Sequence, residues 1–561
     1  MTDLSLNRRW VLAGGLWVAA AGPSFAQAAP VVETTSGKVR GSTKDGVLVF
    51  KGVPYGEDTS GANRFMPPKK KAPWTGVRDA LAYGPTAPQG GAAPNRPPAP
   101  AGAARHPSPI MPDRPDPTPP PVSEDCLVLN VWTPATTGKR AVMFWMHGGG
   151  FTTGSGSSVW YEGVNIAKKQ DVVIVTINHR LNVFGYCDLS AYGDQYAASG
   201  NVGMLDCVAA LQWVRDNIER FGGDPSRVLI HGESGGGRKT SMMMAFTPAQ
   251  GLFHRAVVQS GSALRMDGRE LAQAKAKRVL EALNIAPADV GKLREVPMAD
   301  LRAAGAKASA GYGQFRPVVD GKLLPRHPFE PDAPQVSKHI PMIIGTNRTE
   351  ASVFMGTDPA MDALDDAGLK AEIGKLVPAG EAEKVYALYK RLYPKSSNAE
   401  IAYMVSTDRG YFLDSTIQAE RKAAQGGAGA YYYAFYRETP VQNGRYFVPH
   451  AEEIPFVFDT LGNAQRMVGP VTPEAQALAD KMSATWANFA KTGKAEVPGG
   501  PAWPPYNART RPTMIFDEGS KLRVENDPRG EQRRTMLAFG SQQDRQSELP
   551  APGQRGGDEP A

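Results

Sequence analysis

The stretch from Val228 to Gly237, Val-Leu-Ile-His-Gly-Glu-Ser-Gly-Gly-Gly, constrains this chain more than any other. Three apolar residues, Val228, Leu229 and Ile230, read as the end of a buried strand. They run directly into a Gly-x-Ser-x-Gly pentapeptide centred on Ser234. Glycines at 232, 235, 236 and 237 permit a turn too tight for Cβ atoms, followed by a helix. Such a strand–turn–helix holds a serine hydroxyl above a sheet at a helix N-terminus, where backbone N–H groups favour developing negative charge.

A serine hydroxyl is a weak nucleophile at neutral pH and needs an imidazole to take its proton, plus a carboxylate to orient that imidazole. In chains of this kind the order is serine, acid, histidine, with an oxyanion loop upstream. Upstream, the apolar strand Ala141–Met146 runs into His147-Gly148-Gly149-Gly150-Phe151, so Gly149 and Gly150 offer amides to an oxyanion, joined by the amide of Gly235. Downstream, Met342–Gly345 reads as a strand followed by a short polar loop to Glu350, and His450 follows Pro449 in a loop. Asp320 also precedes His450, but Gly321 after it suggests a carboxylate capping its own turn. Glu452 and Glu453 sit too near His450 along the chain for the usual acid position. His147 and His231 flank the glycines and are read as packing or loop-shaping residues.

These motifs resemble the type-B carboxylesterases, the family of cholinesterases and bacterial para-nitrobenzyl esterases. The resemblance extends through Phe50-Lys-Gly-Val-Pro-Tyr55, Arg64-Phe65, Trp74 and Glu124-Asp-Cys-Leu-Val-Leu-Asn-Val-Trp-Thr-Pro134. It continues in Gly200-Asn201, Leu211-Gln-Trp-Val214, Phe221-Gly-Gly-Asp-Pro225, Trp486, Asn488-Phe489-Ala490, Gly493 and Trp503-Pro504. It implies an α/β-hydrolase fold: a large central, mostly parallel sheet with helices on both faces and long insertions. It also implies a serine carboxylic ester hydrolase working through an acyl-enzyme on Ser234, with His450 as general base and acid and Glu350 as the orienting acid. The alternatives on this pattern are an amidase or lipase on the same residues, or a non-catalytic cholinesterase-like binding protein. The last typically lacks the serine or histidine, and this chain keeps both. A small-molecule ester is the implied partner.

The chain departs from the family pattern at three places. Gly235 stands where alanine is usual, which keeps the amide but frees the backbone. Arg238-Lys239 places two cations just after the elbow, where relatives have small or apolar residues. An ion pair with a core carboxylate such as Glu233 is the expected arrangement, and a cation lining the acyl pocket is the alternative. Ala87-Pro-Gln89 replaces the cysteine that many relatives bridge to the Glu-Asp-Cys signature, so Cys126 is expected as a buried thiol. Cys187 with Cys207 is a candidate pair.

Residues 29–540 read as one domain without a linker. Hydrophobic content of 41% with 8% aromatics supports a sizeable core. The formal charge of +7 falls to +6 once residues 1–28, with Asp3, Arg8 and Arg9, are removed. That excess is small, and no basic run with interleaved aromatics supports nucleic-acid binding. No Cys/His cluster has metal-ligand spacing, so neither a metal nor another cofactor is expected. Pro/Ala-rich residues 85–121 read as a loop, a stiff solvated excursion in preference to a lid. Residues 541–561 read as a polar, disordered tail.

The first 28 residues read as an export leader: Arg8-Arg9, an apolar stretch from Trp10 to Ala21, and an Ala26-Gln-Ala28 cleavage site. The apolar run is shorter than the roughly 20 residues that span a bilayer, and no later stretch qualifies, so no membrane span is expected after leader removal. A periplasmic or secreted enzyme follows. Asn7-Arg-Arg-Trp-Val-Leu12 resembles a twin-arginine signal, the alternative being a general secretory leader. Replacing Arg8 and Arg9 together by lysine is expected to leave full-length precursor inside the cell, checked by immunoblotting of cell fractions. Normal export and processing would identify the general secretory route, and in either case N-terminal sequencing is expected to start the mature chain near Ala29.

Overall fold

A computed structural model describes residues 29–90, 105–110, 119–519 and 521–550. The leader read over 1–28, most of the Pro/Ala-rich loop and residues 551–561 of the tail lie outside the described residues. The chain opens with β1 (Val31–Glu33), β2 (Lys38–Arg40), β3 (Ser42–Lys44), β4 (Val47–Pro54) and β5 (Val77–Asp79). Next come β6 (Val128–Thr133), β7 (Arg140–Met146), β8 (Val173–Ile177) and β9 (Gly223–Glu233). The last are β10 (Arg255–Gln259), β11 (Met342–Asn347), β12 (Ala430–Phe435), β13 (Pro512–Phe516) and β14 (Arg523–Asn526). β1, β2 and β5 make a small sheet. The other eleven form one sheet in the order β14-β13-β12-β11-β10-β9-β7-β8-β6-β4-β3.

From β8 through β7, β9, β10, β11 and β12 to β13 every neighbouring pair is parallel. β14 at one edge and β6, β4 and β3 at the other pair antiparallel. The α/β-hydrolase architecture expected from the motifs is therefore present. Parallel strands are covered on both faces, so their central residues form near-continuous apolar runs instead of alternating with polar residues. In β7, Val142, Phe144 and Met146 enter one core while Ala141, Met143 and Trp145 enter the other. β9 divides likewise, with Val228 and Ile230 on one side and Leu229 on the other.

Chain order changes direction at β9: later strands β10 to β13 lie on one side of it, earlier strands β7, β8 and β6 on the other. The loops leaving the carboxyl ends of the strands diverge around such a point, which is where α/β sheets hold their ligands. Helices of the described residues include none long and apolar enough to cross a membrane.

The candidate pair Cys187 and Cys207 is not formed; they and Cys126, expected as a buried thiol, are buried free thiols, and burial pushes their pKa values up, that of Cys207 to about 12. Two expectations need correction. Residues 105–110 are docked instead of solvated. The His106 N–H donates to the Thr357 carbonyl, the His106 ring faces Asp362, and Tyr446 Oη donates to the Pro107 carbonyl at 2.7 Å. Residues 541–550 are packed, with a short helix at Gln543–Gln546, because hydrogen bonds replace the missing apolar side chains. Gln543 Oε1 accepts from the Leu264 and Arg265 N–H groups, and its Nε2 donates to the Ser262 carbonyl and to Asp414. Gln543→Ala leaves these buried groups unsatisfied and is expected to destabilise the protein by about 1–3 kcal/mol, measured by urea unfolding.

Candidate active site

Ser234 joins β9 to the helix Gly235–Met243 with φ 58° and ψ −122°, a conformation unusual for any residue but glycine. Two hydrogen bonds hold it there: its N–H donates to the Gln259 carbonyl at 2.9 Å, and its carbonyl accepts from the Arg238 N–H. A glycine is compulsory at 236, where a Cβ would overlap the Met146 carbonyl oxygen at the end of β7. The nearness of the two strand ends forces the helix to start abruptly, so the Ser234 side chain stands at its N-terminus.

The loop after β11 and the loop carrying His450 are laced together. The Thr349 N–H donates to the Val448 carbonyl, the Val448 N–H to Thr349 Oγ1, and Asn347 Nδ2 to the Pro449 carbonyl at 2.7 Å. As a result His450 Nδ1 lies 2.6 Å from Glu350 Oε2, although 100 residues separate them. Glu350 is fully buried, and its Oε1 accepts from the Asn347 N–H at 2.7 Å, which fixes the carboxylate. Nε2, the other ring nitrogen of His450, lies 3.0 Å from Glu233 Oε1, close enough for charge attraction but without hydrogen-bond alignment. Tyr411 and Phe354 flank the imidazole with ring centroids 5.0 and 5.5 Å away. Burial alone disfavours the imidazolium, but Glu233, Tyr411 and Glu350 outweigh it and hold the His450 pKa well above the ordinary histidine value.

No hydrogen bond joins Ser234 Oγ to His450 in this structure. The rival carboxylates are engaged elsewhere. Asp320 Oδ1 accepts the N–H groups of Lys322, Leu323 and Leu324 and so caps its own turn. Glu452 pairs with Arg437, and Glu453 accepts from Asn347 and Gln259. Burial, reinforced by Glu233 and Glu350, pushes the Glu453 pKa up to about 8.

Gly149 and Gly150 have φ of 88° and 60°, and the loop they form lies against the elbow. Among the described residues no hydrogen bond uses the amide N–H of either, nor that of Gly235 at the first helical position, where no intrahelical acceptor exists. The loop is braced from outside by Gln314, whose Oε1 accepts from the Phe151 N–H at 3.0 Å, and by Gln89, which exchanges two hydrogen bonds with Gly154. His147 stacks on His179, and burial, aided by Lys239, lowers its pKa to about 3. His231 packs against Trp145 and Phe458 and is lowered to about 3 by burial. Neither makes a hydrogen bond to Ser234.

The expected ion pair of Lys239 with Glu233 is absent. Lys239 is fully buried and donates to the His147 and Gly150 carbonyls, because its helix carries it beneath the glycine loop 148–150 while Glu233 faces His450. Glu233, Tyr411 and Phe354 surround His450 and were not among the residues the sequence pointed to for that place. Glu233 lay inside the motif, directly before Ser234, and its neighbourhood was the available signal. Tyr411 carried none: it reaches His450 from a π-helical turn, Asp408–Phe412, between two α-helices.

Residues 28–536 match the model of the carboxylesterase family. The chain is 35% identical over 519 residues to the para-nitrobenzyl esterase of Bacillus subtilis, covering 90% of this chain and 98% of that one. It is 32% identical to the phenmedipham hydrolase of Pseudarthrobacter oxydans, covering 88% and 96%. Among solved structures, the Geobacillus stearothermophilus carboxylesterase EST55 at pH 6.2 superposes with a TM-score of 0.76 at 38% identity, covering 90% of this chain and 99% of that one. An esterase from Clostridium hathewayi that can hydrolyze aliphatic aromatic polyesters gives 0.75 at 32%, covering 91% and 99%. The shared mechanism of such enzymes is serine-type hydrolysis of small-molecule esters. This chain belongs to the carboxylesterase family and is a carboxylesterase enzyme.

Proposed function

We propose that Ser234 is the nucleophile, His450 the general base and then acid, Glu350 the orienting acid, and the amides of Gly149, Gly150 and Gly235 the oxyanion hole. The contact of His450 Nδ1 with Glu350 Oε2 at 2.6 Å carries this reading, because it leaves Nε2 directed towards the residue that precedes Ser234. Ser234 Oγ attacks the ester carbonyl as Nε2 takes its proton. The same proton then goes to the departing alcohol, leaving an acyl-enzyme that water hydrolyses by the reverse sequence. A small rotation of the serine or imidazole side chain closes the missing hydrogen bond; catalytic contacts often tighten only with substrate bound. The unclaimed amides meet the negative charge that forms on the carbonyl oxygen, each worth on the order of 3 kcal/mol in the transition state.

Glu233 adds a second anion beside the imidazole. It favours the imidazolium that forms during attack, and it also raises the pH at which the free base becomes available. The leader motif supports the further reading that this chemistry takes place outside the cytoplasm.

Ser234→Ala is expected to abolish turnover of para-nitrobenzyl and para-nitrophenyl esters while circular dichroism stays unchanged, and a fluorophosphonate is expected to label Ser234 alone. Labelling of Ser260 or Ser262 would move the nucleophile. Glu350→Gln is expected to lower kcat by ~10³–10⁴ with KM little changed. Asp320→Asn is expected to leave kcat within about twofold and to lower the melting temperature. The reverse pattern would replace Glu350 by Asp320. Because the active base is the unprotonated imidazole and its pKa is raised, kcat/KM is expected to climb with pH through a midpoint above the ordinary histidine value. Glu233→Gln removes one of the anions and is expected to move that midpoint to lower pH; an upward shift would contradict the electrostatic account.

A further inference from the structure

Lys239 is buried without a carboxylate partner. Its Nζ donates to the carbonyl oxygens of His147 and Gly150, each at 3.0 Å, and lies 5.6 Å from the centre of the Phe151 ring. Burying an ammonium group costs several kcal/mol unless its hydrogen bonds compensate, and burial pushes this one down to a pKa of about 7. Either protonation state retains enough N–H groups for both carbonyls. The titratable neighbours His147, His179 and Cys207 supply no anion, since burial keeps the first two neutral and holds the third as a thiol.

Resting on the oxyanion reading above, we infer that Lys239 is a positioning residue that pins the oxyanion loop to the helix carrying the nucleophile. The pinned carbonyls bracket the two peptide groups that carry the Gly149 and Gly150 N–H donors. A three-glycine loop with positive φ at two positions has many alternative conformations, and fixing the carbonyl on either side removes most of them. The anchor also belongs to the helix Gly235–Met243, which begins directly after Ser234, so donor and nucleophile keep one relative geometry.

Gly235 is the second half of the device. A Cβ there would overlap the same Gly150 carbonyl oxygen that Lys239 holds, and would lie 2.5 Å from the Gly150 nitrogen. With the lysine in place, the loop occupies the volume a methyl group would need.

The test uses the full chain, a para-nitrophenyl ester, a trifluoromethyl ketone whose hemiketal oxyanion fills the hole, and para-nitrobenzyl alcohol as a ligand without a tetrahedral centre. Lys239→Met is expected to lower kcat ~10–100-fold, with KM within about twofold, and to weaken the ketone by a similar factor. Alcohol affinity is expected to stay unchanged. Lys239→Gln retains N–H donors and is expected to recover part of the loss; if the methionine variant does not fold, it carries the same comparison. Gly235→Ala is expected to cost at least ~10-fold in kcat when Lys239 is present but markedly less when combined with Lys239→Met, a non-additivity that measures the coupling. Unchanged kcat and ketone affinity in the folded lysine variants, or equal weakening of the ketone and the alcohol, would overturn the inference. Turnover by Ser234→Ala would instead overturn the underlying reading, so the two failures are distinguishable.

Discussion

The site depends on backbone packing against backbone at the carboxyl end of β9. The helix after Ser234 starts so close to β7 that a side chain at 236 would overlap the Met146 carbonyl, and one at 261, after β10, would overlap the Ser234 carbonyl. Glycines therefore occupy both places. This close approach stabilises the unusual φ and ψ of Ser234 through the hydrogen bond from its N–H to Gln259. It also brings the Gly149–Gly150 loop, which continues β7, into contact with Gly235. Strain at one serine persists because neighbouring strand ends over-determine its position.

Around that turn the protein buries several ionisable groups together. Glu233, Glu350 and Glu453 lie near His450 in a region where Trp486 Nε1 donates to Gln259, and Gln259 and Asn347 donate to Glu453. Low local dielectric strengthens each of these interactions and makes every unpaired group costly. The side-chain amides meet that cost for Glu453, while His450 is held between two anions. Lys239 follows the same rule with the opposite sign, since carbonyl dipoles stand where a carboxylate would.

Much of this was legible along the chain. The glycine loop before Phe151, the candidates Ser234, Glu350 and His450 in that order along the chain, and the apolar runs that became β7, β9 and β11, are local patterns. An apolar run bounded by glycines is a strand in almost any globular context, because covering its two faces is its only favourable outcome. Asp320 before Gly321 read as a self-capping turn because the hydrogen bonds of such a turn are made within a few residues. The tail around Gln543 and residues 105–110 were misread for the complementary reason. Their partners, Asp414 and Tyr446, lie far away in sequence, and composition registers neither.

The sequence by itself carried the resemblance that implies the fold family, while local hydrophobic pattern and glycine placement marked the strand ends around Ser234 and the residue types available there. Tertiary structure decided which charges meet. Two adjacent residues at one strand end, Glu233 and Ser234, face different surroundings, and Lys239 donates to backbone carbonyls instead of pairing with Glu233. Side-chain direction depends on the angle at which the elbow leaves the sheet, and contacts such as His450 with Glu350 depend on two loops closing across 100 residues of intervening chain. Distances of that kind arise from packing and have no local signature.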